Sequence, residues 1–234
     1  MTQDIPTARA GAPGPDMCLT PGVFIESTDK AIAAFAQEAT AGAATDKERA
    51  LRLYKAVRDD ITYTPYRNYR EDAAYSAAAC LKEGQGWCVQ KAALLAAVAR
   101  ASGIPARVGF ADVKNHLSSP RLLEMLGTDI FYWHGYCELW LNGRWIKATP
   151  AFDLGLCEKF GVLALEFDGE EDSIFQPFDA AGRRHMEYLA DRGSYADVPV
   201  RQIRADFMKY YPRIMEQDGD IAGSLHQEAE AAGR

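Results

Sequence analysis

The run from His134 to Thr149, HGYCELWLNGRWIKAT, constrains the fold more than any other stretch of the chain. Apolar and polar residues alternate on both sides of Asn142-Gly143, the strongest short signal for a two-residue β-hairpin turn. With that dipeptide as the turn, residues pair outward from it and His134 faces Ala151. Thr149 and Asp153 are then the two diagonal neighbours on His134's face, provided the second strand stays extended. Diagonal Cβ separations of roughly 7–8 Å put a carboxylate within reach of an imidazole.

Upstream of the hairpin the apolar period changes from that of a strand to that of a helix. Ser27 before TDKAIAAFAQEA is the expected N-cap of a helix running to about Thr40. Thr45 opens a second helix, with Leu51, Leu53, Tyr54, Val57 and Ile61 along its apolar side. ITYTPY is short, aromatic and β-branched, and Pro65 stops it from continuing as helix. A third helix, CVQKAALLAAVARAS, starts at Trp87 or Cys88 and ends at Gly103, and its alanines let neighbours pack close. ARVGFADV, after Pro105, is an expected strand. Beyond the hairpin, AFDLGLCEKFG reads as a short helix, VLALEF as a strand and RQIRADFMKYYPRIM as an amphipathic helix. Helices first and strands later place the chain in the α+β class, with N-terminal helices packed on an antiparallel sheet. One domain over residues 23–218 is expected, between a disordered arm (1–22) and a polar tail (219–234).

Charge excludes several functions. With 26 basic and 33 acidic side chains the net charge is −7, which lacks the basic footprint of a nucleic-acid or anionic-membrane binder. No run of about 18 apolar residues suggests a membrane span. The first residues show neither the basic nor the apolar region of a signal peptide. Five cysteines, at 18, 80, 88, 137 and 157, are odd in number and irregular in spacing. They read as reduced thiols of a cytoplasmic protein rather than a disulfide scaffold. No metal site or cofactor is expected: His134 and Cys137 are an odd number of residues apart on a strand and point to opposite faces, and no phosphate-binding glycine loop is present.

The chemistry concentrates on GQGWC at residues 84–88 and on His134. A cysteine in a first helical turn faces unsatisfied N–H groups and the positive end of the helix dipole, both of which favour the nucleophilic thiolate. Read alone, a cysteine is more often a buried structural residue. Of the four histidines, 116, 134, 185 and 226, only His134 heads a regular strand; His226 falls in the polar tail and reads as solvated.

GQGWC, then Gly103-Ile104-Pro105-Ala106-Arg107, then His134, Glu138, Gly143 and Trp145 in order over residues 50–155, resemble the transglutaminase-like superfamily. The resemblance implies a papain-like fold and a Cys-His-Asp catalytic triad for acyl transfer, with Cys88 as nucleophile and His134 as base. The family's aspartate stands four residues after the tryptophan of the G-x-W element, and here that position is Thr149. Asp153, the next carboxylate, either orients His134 in its stead or caps the following helix. The backbone N–H of Cys88 is one expected oxyanion donor, with the side chain of Gln85 or the indole of Trp87 as a second. The function so implied is a peptidase or amidase acting on a peptide or small amide, rather than a cross-linking transglutaminase. Two alternatives stay open: a non-catalytic binding module of the same fold, and an acetyl-CoA-dependent N-acyltransferase, although Lys82-Glu83 stand where the latter carries an arginine. Residues 168–197, outside the matched motifs, are a candidate specificity loop.

Overall fold

The helical half of the chain is set by its caps. In the computed structural model, which describes residues 12–116, 118–174, 186–219 and 221–232, Asp29 opens α1 (Lys30–Ala39), its carboxylate accepting from the N–H groups of Ala31 and Ile32. The charged cap lies two residues beyond Ser27, the expected one. Thr45 opens α2 (Asp46–Asp59), with the Glu48 N–H on the Thr45 hydroxyl and the Glu48 carboxylate reaching back to the Ala44 N–H, much as in a capping box. Residues 61–64 are extended as expected, and β1 (Thr62–Tyr63) lies parallel to β2 (Gln85–Gly86), with Tyr63 opposite Gly86. Between them Ser76 caps α3 (Ala77–Glu83), an element the sequence reading did not anticipate.

The strand β2 leads into α4 (Cys88–Ala101), in which every residue from Cys88 to Arg100 is buried. Its small side chains explain that position: α1, α2 and α3 pack round one side of it and the sheet packs on the other. The sheet holds β3 (Ala106–Asn115), β4 (Ile130–Leu141), β5 (Arg144–Ala148) and β6 (Met186–Tyr195) in the antiparallel order β5-β4-β3-β6. Helix α5 (Pro120–Leu126) lies between β3 and β4 in the chain, and α6 (Leu154–Phe160) follows β5. Helices α7 (Val200–Tyr210), α8 (Pro212–Met215) and α9 (Leu225–Ala232) follow β6.

At the hairpin, Asn142 and Gly143 take φ of 52° and 81°, the two left-handed positions of a type I′ turn. Cys137 opposes Ala148 and Leu141 opposes Arg144, the register the dipeptide implies. The pairing then stops. Thr149 donates its N–H to Ser173 O at 3.0 Å instead of continuing the ladder, and Pro150 follows.

Four expectations give way to the structure. Residues 162–167, read as a strand, are irregular, because side chains take up their backbone: Leu165 O accepts from Tyr54 Oη at 2.9 Å and from Arg58 at 2.6 Å. Within the expected loop 168–197, residues 186–195 are instead the edge strand β6, while residues 175–185, with His185, lie outside the described residues. Part of the expected N-terminal arm is held: Cys18 is fully buried, Arg107 donates to Pro13 O and Arg100 to Thr20 O. The expected polar tail carries α9, with Leu225 and Ala229 buried. All five cysteines are buried and unpaired with one another. No helix among the described residues is long and apolar enough to cross a membrane.

Candidate active site

Cys88 is the first residue of α4, and its N-cap, Trp87, makes no side-chain capping bond. The N–H groups of the first turn are therefore left to the site. His134 lies on β4, and the residue after it decides how near the strand comes. A Cβ on Gly135 would stand 2.9 Å from Val89 Cα and 3.2 Å from Cys88 O. Only glycine lets the β4 backbone rest on the first turn of α4 in this way. The contact leaves Cys88 and His134 lining one recess and brings the Gly135 N–H to the sulfur. The sequence reading used the histidine and passed over the glycine.

His134 is aimed by an irregularity in the sheet. Ala111 pairs with His134 and Val113 with Phe131, so Asp112 alone faces two residues, Tyr132 and Trp133. This is a β-bulge, a device that re-aims the side chains next to it. Trp133 takes φ of +60° there. Asp112 holds the strained turn by accepting the Trp133 N–H at 3.2 Å, and it is itself gripped by Arg192 at 2.7–2.9 Å. Arg192 and the Trp133 indole both reach Asp206 on α7, at 2.9 and 2.8 Å.

Cys88 and His134, 5% and 4% exposed, open onto one recess. Aromatic and aliphatic side chains make up the rest of its wall, and no charged residue among the described ones lines it. A second recess, reaching Leu225 of α9, shares Tyr63, Leu122 and Phe131 with the first. The hairpin aromatics lie elsewhere. Trp140 and Trp145 meet edge to face at 5.3 Å, and Trp133 packs on Phe110. Trp145 also covers the Arg107 guanidinium, 4.1 Å from its ring centre, while Arg107 is paired with buried Glu138. Thus Arg107, Glu138 and Trp145, three of the motif residues, form a structural cluster that locks β3 to the hairpin.

Burial sets the ionisation of Cys88. It pushes the Cys88 thiol up to about 12, against a downward pull from the backbone N–H groups of Gly135, Val89 and Cys88. The helix terminus acts in the expected direction, but exclusion of water from the recess outweighs it. Behind the site, Lys91 is buried in α4 and donates to Arg58 O at 2.9 Å and Ile61 O at 2.5 Å. Burial draws this ammonium down to about 8, with Asp153 acting against the shift.

The other expected site residues are placed as follows. Asp153 caps α6: Oδ1 accepts the Leu156 N–H at 2.9 Å, Oδ2 accepts the Tyr63 N–H at 2.9 Å, and His226 lies 3.1 Å from Oδ2. The diagonal argument fails because β5 ends at Ala148, before the strand reaches the residues it depended on. Thr149 is buried, and its hydroxyl has no partner among the described residues. The Trp87 indole N–H goes to Ala74 O at 2.5 Å and Gln85 is exposed, so neither presents a donor to the recess. His116 stands 3.5 Å from Glu187. His226, expected in solvent, is the partner of Asp153.

The sequence profile of the transglutaminase-like superfamily matches residues 33–150, half of the chain. The chain belongs to the transglutaminase-like superfamily. The superfamily span takes in Cys88, His134 and the cluster of Arg107, Glu138 and Trp145, and it stops short of Asp153 and of α7, α8 and α9, which wall the recesses. No curated protein is significantly similar to the chain. Among solved structures, a provisionally named cysteine protease from Cytophaga hutchinsonii is similar over 77% of this chain and 54% of its own, at 17% identity and a TM-score of 0.45. A provisionally named protease from Parabacteroides distasonis is similar over 57% of this chain and 25% of its own, at 18% identity and a TM-score of 0.38. The chain thus spans about half the length of the first of these proteins and a quarter of the second.

Proposed function

We propose that this protein is a cysteine-dependent acyl-transfer enzyme that hydrolyses amide or peptide bonds. The observation that carries the reading is the shared recess: Cys88 of the first turn of α4 and His134 of β4 open onto it together, brought there by the approach of Gly135. The Cys88 thiol proton passes to a ring nitrogen of His134 as the sulfur bonds to the substrate's carbonyl carbon. The C=O π pair moves onto oxygen. When it returns, the C–N bond breaks and the departing nitrogen takes the proton from His134. Water then attacks the thioester with His134 as base, which releases the acid and restores the thiol. The uncharged wall suits an apolar group beside the scissile carbonyl. The superfamily membership supports the Cys88 and His134 roles, and five unpaired cysteines are in keeping with a reducing, cytoplasmic setting.

A second reading, a binding module that has kept the fold, is favoured by the high pKa of Cys88 and by Thr149 in place of the family's aspartate. Turnover decides between them. N-acyl aminoacyl anilides with apolar side chains should be cleaved by the wild type and not by Cys88→Ala or His134→Ala. Added primary amine should divert at most a small share of the product. Cleavage that survives in Cys88→Ala, or its absence across the panel, would count against the enzyme reading.

A further inference from the structure

We infer that the recess at Leu225 is a pocket for an aliphatic side chain of the substrate, and that Leu225 of α9 stands in it when no such side chain is bound. The inference rests on the acyl-transfer reading above and narrows its substrate class to peptides with a leucine-like residue flanking the one at the cleaved bond. The recess that Cys88 and His134 line shares Tyr63, Leu122 and Phe131 with the recess at Leu225. A side chain seated in the second is therefore held next to a group that reacts in the first.

The second recess already shows what it accepts. Phe152, Phe160 and Val162 add to the wall made by the three shared residues, and Leu225, the one large apolar side chain of α9, is buried there. Ser118 gives a further sign. Its hydroxyl lies on the same wall, buried and with no hydrogen-bond partner among the described residues. A buried hydroxyl without a partner carries a desolvation cost. The main chain of a bound peptide would remove that cost, whereas the side chain of Leu225 has no polar atom with which to do so.

Helix α9 is built to give way. Its buried side chains are Leu225 and Ala229, and the rest of its attachment is polar, Glu228 to Tyr66 and Ser119, and His226 to Asp153. Withdrawing Leu225 exposes one aliphatic side chain, and a leucine of the substrate buries another in its place, so the exchange is close to balanced. A ligand shifts an equilibrium only by its differential affinity for the two states. A peptide with leucine at the flanking position favours the state in which Leu225 has withdrawn. One with glycine there uses the first recess alone and leaves Leu225 where it is.

Quenched fluorescent peptides test this, with phenylalanine at the residue that bears the scissile carbonyl and leucine or glycine at one flanking position at a time. The readout is the ratio of kcat/KM for the leucine peptide to that for the glycine peptide. In the wild type it should stay near one, because the burial of one leucine is offset by the exposure of the other. In Leu225→Ala the recess is vacant, and at one of the flanking positions the ratio should rise by about 10-fold or more, the value of burying a leucine side chain, through KM rather than kcat. Leu225→Met, of nearly equal volume, should keep the wild-type ratio. Leu225→Val empties the recess less and should give a smaller rise in the same direction, which decides the matter if Leu225→Ala does not fold. An unchanged ratio in the alanine and valine variants would overturn the inference, and so would an equal gain for both peptides, which would make Leu225 a general cover of the site. If wild type and variants cleave neither peptide while Cys88 is still alkylated by iodoacetamide, the acyl-transfer reading itself falls, and the pocket with it.

Discussion

At Cys88 two effects oppose one another. First-turn N–H groups stabilise a thiolate, and withdrawal from water destabilises it. Burial raises the thiol, so the free thiolate is the minor form at pH 7. On the proposed mechanism the thiol proton has to move to His134 as substrate arrives. Alkylation of Cys88 by iodoacetamide should therefore rise continuously from pH 7 to 9.5, without the plateau near neutrality that a preformed ion pair gives. Mass-spectrometric mapping should still find Cys88 labelled before Cys18, Cys80, Cys137 and Cys157, since of the five it alone lines either recess. If His134 is the base proposed above, His134→Ala should slow the reaction near neutrality by removing the proton acceptor. A rate that levels off below pH 8 would show that the helix terminus, not burial, governs the sulfur.

At the scale of elements, what was legible in the sequence was local. The Asn142-Gly143 turn, the Thr45 cap and the start of α4 at Cys88 depend on residues a few positions apart, and each lies where chemistry puts it. The β-bulge before His134 depends on Asp112 and on Arg192, 80 residues further along, and no short window contains it. The same applies to the strand β6, whose partner β3 precedes it by a similar interval. VLALEF misled because an apolar run resembles a strand even when distant Tyr54 and Arg58 claim its carbonyls. Asp153 had two readings of equal merit, and the early end of β5 decided for the cap. Its energetics give a test. Burial raises the Asp153 carboxyl, but the N–H groups of Tyr63 and Leu156, with His226 and Lys91, together outweigh burial and hold it below its ordinary value. A carboxylate with a depressed pKa contributes stability above about pH 4, and that contribution is lost as pH falls through the folded value. Asp153→Ala should therefore lower stability at pH 7 by about 1–3 kcal/mol, for a cap and a second charge-assisted bond. The difference from wild type should shrink in urea titrations carried down to pH 3. A difference that is the same at both pH values would mean that the carboxylate's charge has no part in it.

At the scale of the whole molecule, the superfamily core supplies Cys88 and His134, while later elements wall the space around them. Phe207 on α7, Tyr211 and Ile214 of α8 wall the recess at Cys88, and Leu225 of α9 walls the second recess. Helix α9 has Leu225 as its one large apolar side chain, and its composition hid its docking, because hydrogen bonds secure it. Glu228 accepts from Tyr66 Oη at 2.6 Å and Ser119 Oγ at 2.6 Å and pairs with Arg121 at 3.4 Å, and Lys159 meets Glu230 at 2.6 Å. Its carboxylate is thus the joint between α9, the β1 segment and the start of α5. Replacing Glu228 with alanine leaves the Tyr66 hydroxyl and the largely buried Ser119 side chain without their acceptor. Such losses cost about 1–3 kcal/mol each when the group stays buried, so α9 should release locally before the domain unfolds. Because the two recesses share Tyr63, Leu122 and Phe131, release of Leu225 widens the approach to Cys88. Glu228→Ala should consequently show faster amide hydrogen exchange over residues 225–232, and a bulky maleimide should gain on iodoacetamide in its rate of reaction with Cys88. Global melting alone cannot produce that pattern, since it would raise both rates together and expose all five cysteines. If exchange quickens in α9 while the ratio of the two reagents stays at its wild-type value, the helix is a brace of the fold and does not wall the route to Cys88.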